Sequence, residues 1–219
     1  MTPEDPQPAV PFADPSGNRN SPSGGGGPGA VLAGGRGSRL GGTKPTAELA
    51  GRALISYPLA ALAAAGIEAF VVAKSDTPLP SLGVELVAEP AEPSHPLVGI
   101  VAALRHAGRP LVVLGCDFPF APAPLLRALA EAPEPLVVPA PGGDPQPLMA
   151  RWSPELLPRL EGALAREEPL RRTVAELAPR LLGDTDLARF GDPARAFFNV
   201  NTPEDLRDAE RAIRSPDGE

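Results

Sequence analysis

Along this chain the apolar residues fall into short runs separated by longer stretches with helical spacing. Residues 30–33 form a brief apolar run ending in Gly34-Gly35, the pattern of a buried strand that feeds a glycine loop. Ser56 can cap a helix whose body is 59–65 and which Gly66 closes. Residues 69–73 predict a second strand and 84–88 another short extended segment. His95-Pro96 then opens a helix through Ala107, ended by Gly108. Residues 111–114 are a continuous aliphatic run, short enough for a strand buried on both faces. A turn at 115–119 leads to a helix over 123–132, and 136–138 is the next strand. Such alternation of strand and helix with short connectors predicts parallel βαβ units, hence a doubly wound, mostly parallel α/β sheet flanked by helices. Ligands of such sheets sit at the carboxyl ends of the strands.

The second half is less regular. A strand is expected over 148–152, helices over 154–167 and 170–177, and a last strand over 196–200. After it, Thr202 is placed to cap a helix, with Pro203 at the first position and Asp205 completing a capping box.

Composition changes the picture at the N-terminus. The 219 residues include 31 Pro and 23 Gly, a share at which low-complexity disorder becomes a serious reading. Residues 1–29 alone hold 7 of those prolines and 6 of the glycines with few apolar positions, so they read as a disordered tail. The expected division is therefore a tail over 1–29, one domain over 30–214 and a short tail over 215–219. One cysteine, Cys116, excludes a disulfide framework and a thiolate zinc site. The two histidines, His95 and His106, are too few for a histidine-rich metal centre. No apolar stretch is long enough for a bilayer, since even 97–104 stops at Arg105. Glu4 and Asp5 stand where a signal peptide needs basic residues, so the expectation is a cytoplasmic protein without membrane partners. A net charge of −7 argues against a nucleic-acid partner.

Within this acidic chain lies a basic island. Residues 32–44 contain five glycines with Arg36, Arg39 and Lys44, and from 34 to 52 four basic residues face one acid. Glycines let main-chain N–H groups approach an anion, and the basic side chains add charge to what those groups begin. The P-loop pattern nearly fits from Gly37, but Thr43 stands where lysine is required and Pro45 follows Lys44. The dinucleotide pattern fits Gly35 and Gly37 and then meets Leu40. A phosphate-bearing ligand is still the better reading than a bare turn.

Asp117 follows the buried run 111–114 through Gly115 and Cys116. At the end of a central strand it can hold a hard cation such as Mg²⁺ against phosphate oxygens. Asn199 and Asn201, two apart at the end of the last expected strand, would offer neutral amides on one side to a polar substrate. Cys116 has no histidine partner pattern, so a packing role is expected of it.

Taken in order, the segment Leu32-Ala33-Gly34-Gly35-Arg36-Gly37-Ser38-Arg39-Leu40-Gly41-Gly42, then Lys44, Pro96-Leu97-Val98-Gly99, Cys116-Asp117-Phe118-Pro119 and Asn199-Val200-Asn201-Thr202-Pro203 resembles the molybdenum cofactor guanylyltransferase family. The first block is shared with the wider nucleotidylyltransferase superfamily and its Rossmann-like fold, while the later ones are narrower. The resemblance implies that Leu32, Ala33, Gly34 and Gly35 lie against GTP, that Arg36 and Arg39 face its phosphates, and that Lys44 contacts the α-phosphate. It implies that Asp117 binds Mg²⁺ with the nucleotide, that Glu89, Pro96, Leu97 and Gly99 belong to the nucleotide site, and that Asn199 and Asn201 line the pterin-phosphate side. Lys44, Arg39 and Asp117 would carry catalysis. The implied reaction is attack by the molybdopterin phosphate on the α-phosphorus of GTP, with transient contacts to cofactor-synthesis or acceptor proteins. This chain departs from the family at Thr43, Pro45, His95 and Ala73-Lys74, and Glu89 stands for an aspartate. Two other readings stay open: a cytidylyl- or other nucleotidylyltransferase on a different phosphate acceptor, and a silent nucleotide-binding scaffold.

Overall fold

A computed structural model of the chain describes residues 27–35, 40 and 44–214. Its centre is β1 (Gly29–Leu32), flanked on one side by β4 (Ala69–Ala73) and β5 (Leu86–Ala88) and on the other by β6 (Leu111–Gly115). All four run parallel, with Val31 beside Val71 and Leu114. Beyond β6 the sheet continues through β8 (Met149–Trp152), β7 (Leu136–Pro139) and β9 (Arg180–Leu182). Here β8 is antiparallel to both neighbours, so the sheet is mostly parallel, as expected, with one antiparallel strand.

The period of two along the strands divides the core. Val31, Val71, Val112 and Leu114 point to one face, where they meet α1 (Ser56–Ala64) and α3 (Ala123–Glu131). Ala30, Val72, Leu111 and Val113 point to the other, against α2 (Pro96–Ala107) and α4 (Leu157–Ala165). Both faces are therefore covered, which explains why these strands read as continuous aliphatic runs. Arg151, although charged, is buried in β8, where it donates to the carbonyls of Ala130 and Glu134 at the end of α3. Desolvation by that burial holds its pKa below the usual arginine value.

The helix from Pro96 to Ala107 has the expected bounds. His95 Nδ1 accepts from the Leu97 N–H at 3.2 Å, and Gly108 ends the helix at a φ of 60°. Four expectations differ from the structure. Ser56 lies inside α1 and caps nothing; Leu54 and Ile55 already donate to Ala47 and Pro45, so the helix is entered from a bonded turn and the Ser56 hydroxyl is left buried without a partner. The expected helix over 154–167 divides into a 3₁₀ turn (Pro154–Leu156) and α4. Residues 196–200 form no strand: Asp192 caps a short helix, α7 (Pro193–Ala196), and the chain then runs irregularly to Thr202. The first strand takes in Gly29, and Pro28 accepts a hydrogen bond from Val112, so the fold begins inside the segment expected as tail.

A small third core joins the hairpin of β2 (Glu48–Leu49) and β3 (Arg52–Ala53) to α8 (Pro203–Arg214). Leu49, Leu54, Val200 and Ala209 are fully buried there. These two-residue strands, like the three residues of β9, carry too little pattern to be read from sequence. Helix α5 (Leu170–Glu176) and the short α6 (Asp184–Leu187) complete the described elements. No helix among the described residues is long and apolar enough to cross a membrane.

Candidate active site

The carboxyl ends of β1, β4, β5 and β6 open on a cleft of about 280 Å³, closed on its far side by the start of α2. Leu32, Gly34 and Gly35 from the first strand reach it, with Glu89 after β5, Pro96 and Gly99 of α2, Asp117 after β6, and Lys44. The cleft thus brings together most of the residues expected there. Ala33 and Leu97 are buried beside it: the Ala33 N–H donates to Val72, and Leu97 packs in the α2 core. Arg36 and Arg39, together with Gly37, Ser38, Gly41, Gly42 and Thr43, lie outside the described residues.

Glycines make room for the carboxylates. A β-carbon at Gly34 would run into Glu89 Oε1, and one at Gly99 would come within 2.8 Å of Oε2. The Glu89 side chain therefore lies over two bare α-carbons, half-buried. Desolvation raises its pKa above the usual glutamate value, and the nearby Lys74 ammonium pulls it partly back. Gly115 does the same for Asp117, since any β-carbon there would strike Oδ1.

Lys44 closes the site. Its ammonium donates to Asp117 Oδ2 at 3.0 Å and to Asn201 Oδ1 at 2.7 Å, joining three segments distant in sequence. Asp117 is tied to the third of them a second time, because its carbonyl accepts from the Val200 N–H at 3.0 Å. The turn carrying Asn201 is held by Asp205, whose Oδ2 accepts from the N–H groups of Asn201 at 2.9 Å and Thr202 at 2.8 Å. Thr202 Oγ1 in return accepts from the Asp205 N–H at 3.1 Å, which completes the expected capping box. Desolvation pushes the Asp205 pKa up, but these hydrogen bonds and Lys44 outweigh it and leave the carboxyl below its usual range.

Asn199 does not share a strand face with Asn201, since no strand exists there; its Oδ1 is buried without a partner. Cys116 is buried, and burial followed by the neighbouring Asp117 charge pushes its thiol up to about 12, which removes it as a nucleophile. Among the described residues no three His, Cys, Asp or Glu side chains gather as a metal cage. Asp117 nevertheless suits Mg²⁺, which takes one or two carboxylates and completes its shell with phosphate oxygens and water; its outer oxygen already carries a cation in Lys44.

Three contributors were not among the expected site residues. Lys74 lines the cleft directly after β4, and the rule that singled out Asp117, a polar residue at the carboxyl end of a strand, applies to it equally. Gly115 and Asp205 act on their neighbours, which spacing alone does not reveal.

A larger groove of about 600 Å³ lies at the other end of the sheet, at the start of β1 and β4, with Glu68, Glu85, His106 and Arg109 on its walls. His106 there meets Glu85 at 3.2 Å and its ring packs on Phe70 at 4.8 Å.

The chain is similar to several known proteins. The protein named molybdenum cofactor guanylyltransferase from Rhizobium meliloti is 32% identical over 200 residues, which are 84% of this chain and 90% of that protein. The protein of the same name from Rhizobium johnstonii is 34% identical over 135 residues, 55% of this chain, and the match spans 62% of the relative's length. The crystal structure of molybdopterin-guanine dinucleotide biosynthesis protein A from Archaeoglobus fulgidus superposes with a TM-score of 0.74 at 26% identity, covering 85% of this chain and 98% of that one. Residues 29–181 match the MobA-like NTP transferase domain, and the chain belongs to that family of nucleotidyltransferases.

Proposed function

We propose that the protein transfers GMP from GTP to the terminal phosphate of molybdopterin, releasing pyrophosphate and leaving the guanine dinucleotide form of the molybdenum cofactor. The observation that carries this reading is the meeting of Lys44 and Asp117 in the cleft at the carboxyl ends of the strands, with Asn201 bonded to Lys44. The names of the relatives, enzymes of molybdenum cofactor guanylylation, supply the substrate pair.

In this reading the base enters the cleft beside Glu89, whose two oxygens accept from guanine N1–H and the N2 amine. Arg36 and Arg39 are the cations assigned to the phosphates in this reading. Lys44 moves its ammonium from Asp117 to the α-phosphate oxygens and offsets the charge that builds there as the acceptor phosphate attacks. Asp117 is the residue that would hold Mg²⁺, and that ion supplies charge neutralisation on the departing pyrophosphate. Asn201, released by Lys44, and Asn199, with its unpartnered carbonyl oxygen, are then available to the acceptor. No acid–base residue is required, because the attacking phosphate is already an anion, and the inert Cys116 is consistent with that.

The test is pyrophosphate release with molybdopterin and each of the four NTPs in the presence of Mg²⁺. Turnover with GTP is expected. A preference for CTP, or binding without any pyrophosphate release, would overturn the proposal.

A further inference from the structure

The cleft contains a cation that the reaction does not use. Lys74 leaves β4 at its carboxyl end, lines the cleft on the same side as Glu89, and lies close enough to lower that carboxyl's pKa. Its Nζ donates to the Ala91 carbonyl at 2.6 Å, which anchors the ammonium beside the segment that follows Glu89. An ammonium carries three donors and Ala91 takes one, so two remain for a ligand. Glu89 rests on Gly34 and Gly99, and Lys74 lines the same cleft, so a ligand there meets a carboxylate and an ammonium.

Only one of the common bases matches that order along its edge. Guanine offers O6 as an acceptor next to N1–H and the N2 amine as donors. Adenine would turn its N6 amine toward Lys74 and its N1 lone pair toward Glu89. Cytosine offers Glu89 only its exocyclic amine. We infer that Lys74 is a specificity-determining residue that donates to O6 of the bound guanine, with Ala91 holding the ammonium in place. The inference rests on the guanine-nucleotide reading of this cleft and adds to it the group that reads the six-position.

Two analogues separate the contacts. In 6-thio-GTP the O6 acceptor is replaced by a poorer one while N1–H and the N2 amine stay; ITP lacks only the N2 amine. Equilibrium binding of GTP, 6-thio-GTP and ITP with Mg²⁺ would be measured on the full chain, on Lys74→Met and on Lys74→Arg. Thermal unfolding without nucleotide reports whether each variant folds. The wild type should prefer GTP to 6-thio-GTP by about tenfold, Lys74→Met should bring that ratio to about one, and Lys74→Arg should retain most of it. The GTP to ITP ratio, which reports on Glu89, should be unchanged in Lys74→Met.

A wild type that binds GTP and 6-thio-GTP equally would overturn the assignment without any variant. So would a folded Lys74→Met that keeps the wild-type ratio, or one that loses affinity for all three nucleotides alike, which is the result for a tether and nothing more. A wild type that binds CTP or ATP more tightly than GTP would defeat the guanine reading itself, and is distinguished from those outcomes because it needs neither analogue.

Discussion

The two ends of the central strands each carry an opening and a carboxylate paired with a basic residue, yet they differ in kind. At the amino ends the groove is the larger, about 600 Å³ against about 280 Å³. Its pair, His106 and Glu85, has side chains 34% and 63% exposed, whereas those of Lys44 and Asp117 are 14% and 16% exposed. Water screens the first pair, so little is gained by it; the second is largely shielded, and its charges act at higher strength on whatever displaces one of them. Parallel strands also bring their loops to one edge, which is why Gly34, Lys74, Glu89 and Asp117 meet there. Convergence and shielding, more than volume, distinguish the end proposed to bind the nucleotide.

Four variants would break or sharpen that contrast. Lys44→Ala should lower kcat by about a thousandfold, because a group offsetting charge at the reacting phosphorus is removed, while the melting temperature stays near wild type. Steady-state turnover with GTP checks it, and normal turnover would return the Lys44–Asp117 pair to a purely structural role. Gly115→Ala should cost about tenfold to a hundredfold in kcat, because the new methyl strikes Asp117 Oδ1 and shifts the carboxylate; a crystal structure of the variant would show the displacement.

Asp205→Asn should cost about 1 kcal/mol at neutral pH, the usual loss for a cap, with a modest fall in activity as the Asn201 turn loosens. Here the sign of the pH dependence is fixed. The folded carboxyl lies below its ordinary value of 3.8, so its contribution is fully present above that value and fades as the pH falls through the lowered one. Denaturant unfolding of wild type and variant should therefore converge in acid. At the opposite end of the strands, a double change of Glu85→Gln and His106→Gln should leave turnover unaltered and stability within about 0.5 kcal/mol. Loss of activity there would mean that the larger groove takes part after all.

How far the sequence reveals this arrangement depends on whether a residue acts by itself. The strands 69–73, 111–114 and 136–138 and the helix from Pro96 are legible because their apolar period is uninterrupted and their ends carry Gly108 or Pro96. The orientation of β8 is not, since Met149 to Trp152 have the same burial whichever way the strand runs. Asn199 and Asn201 were legible as polar residues near the site but not as parts of an irregular turn. Besides Asp205, what ties that turn down is the backbone bond from Val200 to Asp117, a contact between positions far apart in the chain. Lys44 and Asp117 are visible as charges after strands, but their meeting is a product of the fold. Gly115 illustrates the limit well: in sequence it is a turn glycine, and in the structure it is the space that Asp117 occupies.

The same logic at Gly34 and Gly99 bears on how such a pocket can change over generations. Glu89 rests on both, so a side chain at either position would displace the group proposed to face the base before any new contact had formed. A lineage exploring other nucleotides through positions 34 or 99 would have to alter 89 in concert. Through Lys74, which leans on no glycine and is anchored by a carbonyl, it could take a single step. Drift in base preference should therefore enter this fold at the end of β4 sooner than at its glycine floor.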